Sequence, residues 1–63
     1  MFRIEDEEAN LVVSENRSKQ KAITDAGNKY RNLPKASKPF PVTLTIRKQD
    51  KYGAWVKVGT FTV

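Results

Sequence analysis

The chain has no cysteine and no histidine among its 63 residues. Those two absences remove disulfides, zinc sites of the Cys/His kind and any nucleophile built on a Cys–His or Ser–His pair. No apolar run approaches the roughly 20 residues that a bilayer-spanning helix requires. The opening stretch MFRIEDEEANLVV carries acid where a secretory leader carries base. These features lead to the expectation of a soluble, cytoplasmic protein without membrane contact. Glycine is scarce too, and Gly27, Gly53 and Gly59 stand singly, so no phosphate-cradling glycine loop is present. A chain this short buries only about 60% of its unfolded surface. Without covalent or metal staples, one core must hold a single domain spanning 1–63.

Charge is present and unevenly placed. Residues 1–15 set Arg3 against Glu5, Asp6, Glu7, Glu8 and Glu15, a balance of −4, while residues 16–63 set eleven Lys and Arg against Asp25 and Asp50, a balance of +9. The sum is +5, with a pI near 9.8. A basic segment of that kind is the electrostatic footprint of a phosphate-bearing partner, and it also serves solubility.

Four segments follow from the patterning. The acidic segment 1–15 opens with a strand, in which Phe2 and Ile4 bracket Arg3. EDEEAN then reads as a solvated turn and Leu11 to Val13 as a second strand, the alternative being a helix that starts near Asp6 with the acids in its first turn. Segment 16–33 is a basic amphipathic helix capped by Ser14 or Asn16, with Ala22, Ile23, Ala26, Tyr30 and Leu33 on its apolar side. Its opposite arc carries Arg17, Lys21, Asn28 and Arg31. Segment 34–41 is a proline-rich connector anchored by Phe40.

Segment 42–63, VTLTIRKQDKYGAWVKVGTFTV, is a β-hairpin. Val42, Leu44 and Ile46 alternate with Thr43, Thr45 and Arg47. With QDKYG as the loop, Ile46 is expected opposite Val56, Leu44 opposite Val58, Arg47 opposite Trp55 and Thr45 opposite Lys57. A bulge at Gly59-Thr60 returns Phe61 and Val63 to the core side. The expected class is therefore α+β: β-α-β-β, or ββαββ if Leu11 to Val13 pair, with one helix on one face of a mainly antiparallel sheet. The expected core includes Phe2, Ile4, Val13, Leu33, Val56, Val58 and Phe61.

No catalytic constellation is visible, and neither a metal nor another cofactor is expected. Asp25 and Asp50 stand singly among basic neighbours, and Glu5 to Glu8 lacks the Asp/Asn-Gly spacing of a calcium loop. The chemistry that can be read is that of binding. The uncovered sheet face presents Thr43, Thr45, Arg47, Trp55 and Lys57, with Lys48, Lys51 and the helix bases beside it. An arginine over an outward tryptophan also has a purely structural explanation, since such pairs stabilise hairpins by about 0.2–1 kcal/mol. As a binding surface the patch suits nucleic acid, with DNA the first expectation: a two-stranded ribbon enters the major groove, and single strands stack on tryptophan. The competing expectation is a protein target of an accessory protein of the kind phages and mobile elements carry, docked through the same face or an edge strand. A monomer or weak dimer is expected, with no small-molecule substrate.

Overall fold

Five elements follow in the order β1 (Phe2–Asp6), β2 (Leu11–Asn16), α1 (Lys19–Arg31), β3 (Thr43–Gln49) and β4 (Trp55–Thr62). This is the ββαββ alternative. The computed structural model describes residues 1–33 and 41–63; residues 34–40 of the expected connector 34–41, with its anchor Phe40, lie outside them. The strands form one antiparallel sheet in the order β2-β1-β3-β4, with α1 packed on one face. No described helix is long and apolar enough to cross a membrane.

Local chemistry sets each boundary. Asp6 opens the first turn by accepting Ala9 N–H at 3.2 Å, and Asn10 closes it at φ 52°, a left-handed conformation that asparagine tolerates. The helix starts later than the sequence suggests. Its N-cap is Ser18, whose hydroxyl accepts Lys21 N–H at 3.3 Å, while Asn16 turns the chain beforehand by accepting Ser18 N–H at 2.9 Å. At the hairpin, the Asp50 carboxylate accepts the N–H groups of Tyr52 and Ala54 at 2.8 and 2.9 Å. Gly53 sits at φ 84°, the left-handed residue that completes such a loop.

The core consists of Ile4, Val13, Ala22, Ala26, Tyr30, Val42, Leu44 and Ile46, with Phe2, Ile23, Phe61 and Val63 partly buried against it. Full burial of a side chain such as Ile4 or Leu44 contributes about 1.5–3 kcal/mol. Small residues bring the helix close to the sheet: Ser14 Oγ donates to the Ala22 carbonyl at 2.7 Å, and Ala22 and Ala26 are fully enclosed. Gly27 is buried as well, and a side chain there would meet the Arg31 guanidinium.

Two expectations about the core fail for one geometric reason. Val56 and Val58 were expected inside but are 48% and 47% exposed. The helix packs on β2 and β1. It is about 10 Å wide, and strands lie about 4.8 Å apart, so β4, third in line from β2, is beyond its cover. Leu33, also expected in the core, follows the helix end and is 40% exposed.

The hairpin register is displaced from the expected one, by two residues next to the turn and by three beyond the bulge. Arg47 pairs with Lys57, not Trp55; Trp55 faces Gln49; Thr45 faces Thr60, not Lys57; Lys48 faces Val56; and Leu44 faces Phe61. The loop is shorter than QDKYG, because Asp50 N–H already donates to the Ala54 carbonyl at 2.9 Å. The phase reversal is present, but Val58 is the extra residue, between the Arg47–Lys57 and Ile46–Gly59 pairs. It restores Phe61 to the core side as expected.

Candidate functional site

The uncovered sheet face carries a cross-strand row of Glu15, Arg3, Arg47 and Lys57. Arg3 and Arg47 are directly paired like charges, an unfavourable placement unless something lies between them. Glu5 supplies it, lying 3.7 Å from Arg3 and 2.9 Å from Arg47. Glu15 takes the other side of Arg3 at 3.1 Å, and Glu7, from the β1–β2 turn, meets Arg47 at 2.9 Å. The EDEE run, expected to be a solvated loop, is thus partly folded back onto the arginines.

The single tryptophan is engaged too. Trp55 is partly buried, and Arg3 rather than Arg47 lies over its ring, 4.0 Å from the centroid. That stacking occupies one indole face. Thr45 is on this side of the sheet but only 5% exposed, whereas Thr43 and Lys57 are open to solvent. The acids and bases on this face balance: Arg3, Arg47 and Lys57 against Glu5, Glu7 and Glu15. A cleft of about 390 Å³ at the turn end is lined by both arginines but also by Glu5, Asp6 and Glu7.

Five of the other described bases gather elsewhere. Asn16, Phe2 and Lys48 form one row across β2, β1 and β3 on the helix side, and the Lys48 ammonium lies 5.8 Å from the Phe2 ring centroid. Lys48 therefore points away from Arg47 and Trp55. The chain leaves that row through Arg17 into the helix start, with Lys19 and Lys21, while Lys51 sits in the adjacent β3–β4 turn. All five side chains are exposed. The first helical turn carries no acid, so the positive end of the helix dipole adds to these cations. The nearby Asp50 carboxylate is occupied by the turn N–H groups. Asn28 and Arg31, at the far end of the helix, bond to each other at 2.9 Å.

Alternation alone places Arg3 and Glu5 on the outer face, so their part in the network was available from the sequence. The reach of Glu7 was not, because it depends on the fold of the turn. Among the described residues, no group of three or more carboxylate, histidine or cysteine side chains is placed to hold a metal ion. No protein-family model matches the chain, and no curated protein or solved structure does so either.

Proposed function

We propose that this protein binds nucleic acid through phosphate contacts made by Arg17, Lys19, Lys21, Lys48 and Lys51, at the end of the sheet shared by the helix start and the β3–β4 turn. One observation carries the reading: the sheet face is internally neutralised, and among the described residues the largest group of exposed bases lies at this end. The proposal thus moves the contact from the hairpin face to the hairpin tip and helix start. Recognition there is electrostatic and insensitive to sequence, because exposed lysine and arginine side chains neutralise phosphates without reading base edges. Base stacking contributes little, since Arg3 already covers one face of Trp55.

Anisotropy titrations of a labelled duplex and a labelled single strand at two ionic strengths test this. Four phosphates neutralised on duplex DNA give a slope of log K against log[salt] of about −3.6, so affinity falls about 150-fold between 50 and 200 mM salt. Lys48→Glu combined with Lys51→Glu should lower the magnitude of the slope by about 2, while Arg47→Gln and Trp55→Ala leave it unchanged. Absence of binding at 50 mM salt, or equal losses from Arg47→Gln and the lysine pair, would refute the assignment. A protein target is the second reading, supported by β4, whose outer edge no other described strand pairs, and by its exposed valines. Its binding would depend only weakly on salt.

A further inference from the structure

The sheet has two sides, and they differ in how they meet solvent. On β2, Val13 is the extra residue of a bulge, and its carbonyl accepts the Lys29 ammonium at 2.6 Å. Bulges and inserted lysines are devices that stop further strand pairing. The β4 side offers eight residues, Trp55–Thr62, with Lys57 as the sole charge and no proline. Val56 and Val58 are about half exposed there.

The backbone of β4 has a specific pattern. Val42 and Val63 exchange both hydrogen bonds, at 3.2 and 2.8 Å. In an antiparallel ladder such exchanges recur at every second pair. Leu44–Phe61 and Ile46–Gly59 are therefore the bonded pairs, and Thr60 and Thr62 direct their N–H and C=O groups away from β3. From the turn, the Asp50–Ala54 bond makes Lys48–Val56 a bonded pair and turns the backbone of Trp55 and Lys57 outward. Val58 reverses the phase between the two halves. The outward set Trp55, Lys57, Thr60 and Thr62 is consequently symmetric about the point between Val58 and Gly59.

We propose that β4 pairs antiparallel with β4 of a second copy of this chain about a two-fold axis passing between Val58 and Gly59. Trp55 then faces Thr62 of the second copy, Lys57 faces Thr60, and Val56 faces Phe61 on the apolar side. Each outward residue meets an outward residue, and no like charges oppose. Displacing the register by one residue sets every outward residue against an inward one, and displacing it by two keeps only one kind of outward pair, Trp55 with Thr60 or Lys57 with Thr62. The contact is isologous, which is the commonest symmetry of protein pairs. Reversal of strand direction also points the two basic ends apart. The interface is small, below the roughly 1,000 Å² of stable complexes, so association is weak and concentration-dependent.

The chain's lack of cysteine makes a cross-linking test clean. In the double variant Lys57→Cys with Thr60→Cys, each thiol has its partner on the second copy with Cα atoms about 5.5 Å apart, a span that a disulfide bridges. Within one strand the two positions are about 10 Å apart, too far to bridge. Mild oxidation should give covalent dimer from the double variant, with each single variant lagging at least tenfold. Thr60→Pro removes only an outward N–H and should raise the dissociation constant at least tenfold in sedimentation equilibrium while retaining the circular dichroism spectrum. Three outcomes would overturn the proposal: monomeric mass at millimolar chain, cross-linking of the double variant no faster than of the singles, or a dimer indifferent to Thr60→Pro. So would a chain that stays monomeric while an added acidic peptide protects the β4 amides from exchange, which would assign the edge to a different protein.

Discussion

Replacing Tyr30 with phenylalanine removes one oxygen atom, and with it the donor that the Asp6 carboxylate accepts at 2.7 Å. Asp6 is 2% exposed and Tyr30 3% exposed, so water does not readily take the place of that hydroxyl. The Ala9 N–H at 3.2 Å stays, and the ring still packs against the core. A buried hydrogen bond to a charged group contributes about 1.5–3 kcal/mol. In a domain of this size each kcal/mol moves Tm by about 4–8 °C, so the variant should melt about 6–24 °C below the parent. Urea denaturation followed by circular dichroism measures the loss, with an unchanged m-value showing that the same surface unfolds. Asp6→Asn alone and together with Tyr30→Phe completes a double-mutant cycle, in which coupling of about 1 kcal/mol or more is expected. A loss below about 0.5 kcal/mol, or single effects that simply add, would mean that the Tyr30–Asp6 bond contributes nothing to joining helix and sheet.

Other substitutions probe the turn and the outer face. Gly53→Ala places a side chain at φ 84° and should cost about 1 kcal/mol in the same urea assay; a neutral result would mean the loop relaxes to another turn. Glu5→Gln leaves Arg3 and Arg47 facing each other without the carboxylate between them and should cost about 0.5–1 kcal/mol. That cost should shrink in high salt, since the side chains are partly exposed; a salt-independent loss would point to packing instead.

The terminal hairpin was legible because local chemistry determines it. Asp50 and Gly53 fit a short turn, and the switch from even-numbered to odd-numbered apolar positions demanded a bulge. What sequence could not supply was strand order. Because β1 pairs with both β2 and β3, the helix that follows β2 lies over the early half of the sheet, leaving Val56 and Val58 beyond its reach. Asp6 illustrates a signal that was present and passed over. Continuing the alternation of Phe2 and Ile4 puts residue 6 inward, and a tyrosine on the helix's apolar stripe needs an acceptor. Reading EDEE as a uniform solvated run concealed it. The outer-face patch was legible in membership but not in state. Arg47 and Trp55 lie on the same face as expected, yet their charges and rings are engaged by Glu5, Glu7 and Arg3.

The Lys29 ammonium on the Val13 carbonyl has a consequence for solubility. Sheets open on both flanks stack into ribbons that lengthen without limit, as in fibrils. With one flank plugged by a cation, pairing through β4 as proposed would close at two chains rather than extend into a filament.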